Sequence, residues 1–231
     1  MAVLPGSAIG VLGGGQLGRM LALSARRAGY RIHVLSDAAG SPGAQVADHT
    51  VVASYDDEVA VAEFAARVDV VTLEFENISS PALAAAAHNA PVRPGVLALH
   101  VSQNRQREKE FLRVNGFQHA PFVTLEGPAD LRAVALPAFP FVAKSAGFGY
   151  DGKGQVVARG QEDLARVTAL LETGPVVVEE FVELAAELSV VGARSLAGEV
   201  ALYQPLLNRH VEGILDTTIF SGTPNEPPVA G

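Results

Sequence analysis

The sequence predicts an α/β protein, with a parallel sheet flanked by helices over residues 1–98, an α+β part over 99–220 and an irregular tail over 221–231. The first part is predicted by an aliphatic run, residues 8–12, that stops at a glycine cluster and gives way to helical spacing. Three further aliphatic runs, at 30–35, 51–53 and 68–73, are separated by segments long enough for parallel crossovers. The second part is predicted by extended stretches that pair off around glycine-bearing turns.

Residues 8–12 form the first strand, and Gly13-Gly14-Gly15-Gln16-Leu17-Gly18 the turn after it. Leu17, Met20, Leu21, Ser24 and Ala28 recur at helical spacing, which predicts the apolar face of the next helix, and Gly29 is its C-cap. Residues 30–35 and 51–53 are the second and third strands. Ser54 and Asp57 have the S-x-x-D spacing of a capping box, opening a helix whose apolar content is Val59, Ala62, Phe64 and Ala66. Residues 68–73 are a buried strand ending in Glu74-Phe75-Glu76-Asn77; period two places both glutamates on one side and Phe75 on the other. An alanine-rich helix over 81–88 and a last short strand at Val92 and Arg93 close this part before Pro94-Gly95.

A polar helix over 102–114 carries Asn104, Arg105 and Lys109. Residues 117–125 are extended, 128–134 form a short helix, and Pro137 and Pro140 frame the entry to a strand over 139–143. That strand opens into Lys144-Ser145-Ala146-Gly147-Phe148-Gly149-Tyr150-Asp151-Gly152-Lys153-Gly154-Gln155, and residues 155–158 return as its hairpin partner. A helix over 162–171 and a strand over 175–178 lead into Glu179-Glu180-Phe181-Val182. Residues 187–194 and 199–206 read as two strands of a hairpin turned at Ala197-Gly198, followed by Asn208, His210 and Gly213-Ile214-Leu215. The last eleven residues hold three prolines and no apolar periodicity.

Composition narrows the function. An apolar fraction of 48% with 18% charged residues is that of a globular chain. A net charge of −8 argues against a nucleic-acid partner, which needs clustered Lys and Arg. Zero cysteines exclude disulfide and thiolate chemistry and fit a reducing, cytoplasmic setting. No apolar run approaches the ~20 residues of a spanning helix, so no membrane is expected, and residues 1–7 lack the basic region of a signal peptide. The six histidines are scattered, with no pair at metal-ligand spacing.

The stretch from Lys144 to Gln155 carries the strongest chemical signal. Glycines expose backbone N–H groups, which form anion-binding concavities, and lysine is a point charge suited to phosphate. A glycine-rich hairpin with solvated lysines fits the same residues. The chain has only three lysines, however, and Lys144 and Lys153 are two of them, which favours a nucleotide phosphate. The G-x-G-x-x-G from Gly13 to Gly18, with Asp37 after the second strand, matches a dinucleotide fingerprint and also fits a tight strand-to-helix turn. Glu74 and Glu76 lie where open α/β sheets bind ligands, or else at a solvated strand end.

Several strings together resemble the ATP-grasp ligases, and among them those that carboxylate an aminoimidazole ribonucleotide in purine biosynthesis. The matching residues are Gly10-Val11-Leu12-Gly13-Gly14-Gly15-Gln16-Leu17-Gly18-Arg19-Met20, Glu74-Phe75-Glu76-Asn77-Ile78, Gln103-Asn104-Arg105, Gly149-Tyr150-Asp151-Gly152-Lys153-Gly154-Gln155, Val178-Glu179-Glu180-Phe181-Val182, and Asn208 with His210. The resemblance implies a Rossmann-like domain followed by a grasp domain that holds ATP. It implies Arg105 and Lys144 on the ATP phosphates, and a loop of Gly149, Tyr150, Asp151, Gly152, Lys153, Gly154 and Gln155 over them. Glu179, Glu180, Phe181 and Val182 would meet the adenine, and Glu187 the ribose, with His210 nearby. Gln16, Leu17, Glu74 and Glu76 would hold the ribonucleotide. Tyr150, Asp151 and Lys153 would be catalytic, Asp151 as acid/base and Lys153 as oxyanion partner. The implied reaction joins bicarbonate to 5-aminoimidazole ribonucleotide through carboxyphosphate, with ATP and Mg²⁺, in a homodimer.

Two departures accompany the resemblance. Phe148 stands where the family usually has glycine. The family's magnesium carboxylates and asparagine are expected beyond residue 231, and the tail after Phe220 no longer resembles the family, so the chain alone is expected to hydrolyse little ATP. Two other ATP-linked readings are a non-catalytic nucleotide-binding remnant and a different ATP-grasp carboxylase or formyltransferase. An NAD(P)-dependent oxidoreductase built on Gly13 to Gly18 and Asp37 is disfavoured because nothing after residue 98 resembles a dehydrogenase substrate domain.

Overall fold

A computed structural model of the chain describes residues 2–147, 154–211 and 214–220. Its contacts divide the chain into two units, Met1–Gly116 and Phe117–Gly231.

The first unit contains β1 (Ala8–Leu12), α1 (Gln16–Arg27), β2 (Arg31–Ser36), β3 (His49–Val52), α2 (Glu58–Ala65), β4 (Val70–Leu73), α3 (Ser80–Ala87), α4 (Val96–Ser102) and α5 (Arg105–Val114). The strands form a parallel sheet of order β3-β2-β1-β4. Val92 adds a single parallel bridge to Val71 in place of a full strand. Period two splits the strand residues between two cores. Val11, Ile32 and Val34 pack with Ala22 and Ala25 of α1. Leu12, Leu35 and Val71 pack with Val61 and Phe64 of α2 and with Ala82, Leu83 and Ala86 of α3. Helices therefore cover both faces, which is why the strands read as nearly continuous aliphatic runs.

Three local expectations are corrected. The buried face of α1 is made by Gly18, Ala22 and Ala25, whereas Leu17 and Met20 are 65% and 62% exposed. The helix lies so close to the strand ends that a Cβ at Gly18 would come within 2.9 Å of the Gly13 carbonyl, so small residues take the contact. Asp57, not Ser54, caps α2, accepting from the amides of Val59 and Ala60 at 3.1 and 3.0 Å, while Ser54 accepts from Asp56 in the preceding turn. The polar helix expected over 102–114 starts only at Arg105, because Asn104 leaves helical geometry and caps α5 by accepting from the Arg107 amide at 3.1 Å, and α4 ends before it at Ser102.

The second unit begins with β5 (Phe122–Leu125), α6 (Asp130–Ala133), β6 (Phe141–Ser145), β7 (Gln155–Ala158), α7 (Leu164–Leu171) and β8 (Val176–Glu180). The strands form an antiparallel sheet of order β5-β8-β6-β7. One face is closed by Val167 and Leu171 of α7 over Leu125, Phe141, Ala143, Val156, Ala158, Val176 and Val178. The remaining strands are β9 (Glu187–Ser189), β10 (Gly192–Arg194), β11 (Val200–Leu202), β12 (Leu206–Val211) and β13 (Ile214–Ile219). The expected hairpin at Ala197-Gly198 is present but short: β10 pairs with β11, and Gly198 takes a positive φ of 92°. β9 leaves that hairpin and pairs with β12, which also pairs with β13. The tail over 221–231 lies outside the described residues.

Candidate functional site

The glycine turn after β1 is built around a carboxylate. Gly13 takes a φ of 123° and donates its amide to the Leu35 carbonyl at 3.0 Å. Glu74, at the end of the neighbouring strand β4, accepts from the Gly15 amide at 2.6 Å. Its own amide donates to the Leu12 carbonyl at 3.0 Å. Gly15 is the N-cap of α1 and offers no side chain, so Glu74 supplies the anion that the positive helix end favours. A Cβ at Gly13 would fall 2.5 Å from the Glu74 Cβ, which explains the glycine there. The other wall of the turn is tied by the Gly43 amide to the Gly14 carbonyl at 2.7 Å, and by Arg19 to the Gln45 side chain at 2.7 Å.

This arrangement brings Gln16, Leu17 and Glu74 to one turn. Gln16 and Leu17, the exposed first residues of α1, directly follow the amide that Glu74 holds. Glu76 is exposed two residues further on. Tyr55 lies behind the turn with its ring 5.0 Å from that of Phe75. Burial pushes its hydroxyl up, against hydrogen bonds from the Ser36 side chain and the Asp37 backbone. Two features were not legible from sequence: Glu74 binding the turn, and Gln103, whose amide donates to the Glu76 carbonyl at 2.6 Å. Arg105 is the first residue of α5, directly after the Asn104 cap.

In the second unit, period two turns Phe141 and Ala143 into the core and Val142 and Lys144 to the opposite face of β6. Register sets Val142 beside Val157 and Glu179, and Lys144 beside Gln155. These residues floor a cavity of about 700 Å³ whose rim runs through Glu180, Phe181, Val182 and Leu184. Lys144 Nζ donates to Glu179 Oε2 at 3.1 Å, with side chains 26% and 7% exposed. The carboxylate is thus the buried partner that holds the lysine at the cavity floor. The Glu180 amide donates to the Pro121 carbonyl at 2.9 Å, after which the chain leaves the sheet and Phe181 becomes exposed. Ser145 donates both its amide and its hydroxyl to the Gly154 carbonyl, at 2.8 and 2.9 Å, pinning the two ends of the glycine loop. Phe148, Gly149, Tyr150, Asp151, Gly152 and Lys153 lie outside the described residues.

Glu187 and His210 meet across β9 and β12, with Glu187 Oε2 and His210 Nδ1 at 2.8 Å. They are brought together with each other but are not among the residues lining the Lys144 cavity. Val142 and Val157, which do line it, were not singled out as site residues; their alternation with core residues was the available signal. Among the described residues no three His, Asp or Glu side chains cluster so as to hold a metal ion.

Comparison with known families gives two successive matches along the chain. Residues 7–103 match the ribonucleotide synthetase preATP-grasp domain. Residues 110–226, more than half of the chain, match the ATP-grasp domain, a match that extends past Phe220. The chain belongs to the ATP-grasp family.

Among its ATP-grasp relatives, the N5-carboxyaminoimidazole ribonucleotide synthase of Brucella melitensis is 44% identical over 93% of this chain and 60% of its own length. The N5-carboxyaminoimidazole synthetase of Staphylococcus aureus complexed with ADP superimposes with a TM-score of 0.90 at 34% identity, over 95% of this chain and 59% of that one. The synthase from Aspergillus clavatus in complex with ADP and 5-aminoimidazole ribonucleotide gives 0.83 at 31% identity, over 93% and 56% of the two chains. The chain thus spans about 60% of the length of the curated relative it matches. Among the described residues no helix is long and apolar enough to cross a membrane.

Proposed function

We propose that this chain serves the ATP-dependent carboxylation of 5-aminoimidazole ribonucleotide by bicarbonate, giving N5-carboxyaminoimidazole ribonucleotide, ADP and phosphate. The observation that carries the reading is the Lys144 cavity, a lysine held by a buried glutamate beside an exposed strand end within an ATP-grasp domain. Lys144 offers its charge to ATP phosphates. The backbone of Glu180, Phe181 and Val182, where the chain leaves β8, offers a donor and an acceptor to an adenine edge. Val142 and Val157 give the base an apolar floor. Glu187, with His210 fixing its orientation, accepts from ribose hydroxyls. Arg105 and the loop through Gly149, Gly152, Gly154 and Gln155 complete the phosphate contacts.

In the reaction a bicarbonate oxygen attacks the γ-phosphorus as its bond to the ADP oxygen breaks. The resulting carboxyphosphate splits into carbon dioxide and phosphate, and the ribonucleotide amine adds to carbon dioxide with loss of a proton. Tyr150, Asp151 and Lys153 serve this step, Asp151 taking the proton and Lys153 balancing the carboxyphosphate charge. Gln16, Leu17, Glu74 and Glu76 receive the ribonucleotide beside a glycine turn already filled by the Glu74 carboxylate. A cytoplasmic homodimer is part of the same proposal, as is a requirement for Mg²⁺.

The reading is tested by titrating the chain with ADP and by following ADP release with bicarbonate and the ribonucleotide omitted in turn. Lys144→Ala is expected to weaken ADP binding by about tenfold or more, as loss of a charge-assisted contact does. ADP release indifferent to both co-substrates would remove the carboxylation, and ADP affinity unchanged in Lys144→Ala would remove the cavity from it.

A further inference from the structure

Gln103 has no role in the site described so far, yet its carboxamide is fully committed to one loop. Nε2 donates to the Glu76 carbonyl at 2.6 Å and to the Ile78 carbonyl, and Oε1 accepts from the Ser80 hydroxyl at 3.1 Å. A primary amide has two donors and one carbonyl, and all are used here between the end of β4 and the start of α3. The loop they hold is the one that begins with Glu74 and Glu76. Within it the Ile78 amide donates back to the Glu76 carbonyl at 2.8 Å, so the two carbonyls held by Gln103 belong to one tight turn.

Gln103 is itself well fixed. Its amide donates to the Leu99 carbonyl at 2.9 Å, and Leu99 is buried in the same core cluster as Ile78. The next residue, Asn104, caps α5. A rigid joint between two helices therefore reaches across to the strand-end loop and sets its path.

We propose that Gln103 is a positioning residue for the ribonucleotide: it holds the loop from Glu74 to Ser80 so that Glu74 stays on the Gly15 amide and the backbone that carries Glu76 keeps its path. The proposal rests on the ribonucleotide reading of Gln16, Glu74 and Glu76. It predicts a selective effect, because none of these Gln103 contacts involves a residue that lines the Lys144 cavity.

Calorimetric titration of the full chain with 5-aminoimidazole ribonucleotide and, separately, with ADP tests it. Gln103→Glu keeps the size and the Ser80 contact but turns an oxygen toward two carbonyl oxygens. Gln103→Met keeps the length with neither donors nor charge, and serves if the glutamate variant does not fold. Two lost hydrogen bonds correspond to a weakening of ribonucleotide binding by about tenfold, with ADP binding within about twofold of wild type. Ser80→Ala, which removes only the third contact, is expected to change either affinity by less than about threefold. Ribonucleotide affinity unchanged in a folded Gln103 variant overturns the proposal, and so does an equal loss for both ligands, which marks general destabilisation. Failure of the wild-type chain to bind the ribonucleotide overturns the underlying site reading and the proposal with it.

Discussion

Glu74 shows how one side chain can decide what a glycine turn does. In a dinucleotide fold the helix end faces a pyrophosphate; here a carboxylate from the adjacent strand already occupies the Gly15 amide. Gly13→Ala should cost about 1–3 kcal/mol, since φ is positive and the new Cβ meets Glu74. Gly127→Ala, where φ is ordinary and nothing lies within 4 Å, should stay within about 0.5 kcal/mol. Urea unfolding of the two variants compares them directly. His33 gives a second prediction at this scale. Burial lowers its pKa, with further lowering from His49, Arg31 and Arg67 against a raising influence of Asp48. The unfolded chain therefore takes up this proton first as pH falls. The contribution of neutral His33 is present above about pH 6.5 and is lost as pH falls from there toward the lowered folded value. His33→Leu should flatten that limb of the stability profile, measured by thermal melts between pH 7 and 5.

At the level of elements, the caps are the discrete stops that give α2 and α5 their starts. Asp57→Ala and Asn104→Ala should each cost about 1 kcal/mol, read from denaturant midpoints, while Ser54→Ala should cost less because Ser54 bonds only the preceding turn. The parallel strands were legible because burial on both faces writes an unbroken aliphatic run. The buried face of α1 was not, because close packing selects Gly18, Ala22 and Ala25 and leaves the larger Leu17 and Met20 outside. The start of α5 at Asn104 was masked because polar residues, Ser102 and Gln103 before it and Arg105 and Gln106 after it, run through the boundary. The partner of β9 was hidden for another reason: its pairing with β12 skips the nearer hairpin, and no local pattern records such a choice. At the site, Lys144 was legible from lysine scarcity and its strand from alternation. Its buried partner Glu179 was expected on the ligand, and only sheet register reveals that it faces the same side as Lys144.

For the whole molecule, each of the three core clusters is confined to one of the two units. Residues 1–116 expressed alone should therefore fold, with a single cooperative urea transition; a broad, non-cooperative profile would show that the first unit depends on the second. The sheet order of that unit also bears on how it is made. β1 comes first in chain order among the strands of this sheet, yet it lies between β2 and β4. Its register sets Ile9 against both Ile32 and Val70. On the ribosome, one edge of β1 is closed soon after α1, but the other stays open until β3, α2 and β4 have all emerged. The earliest strand of this sheet is thus the one that waits for the latest neighbour, and the glycine turn at its end closes only when β4 delivers Glu74.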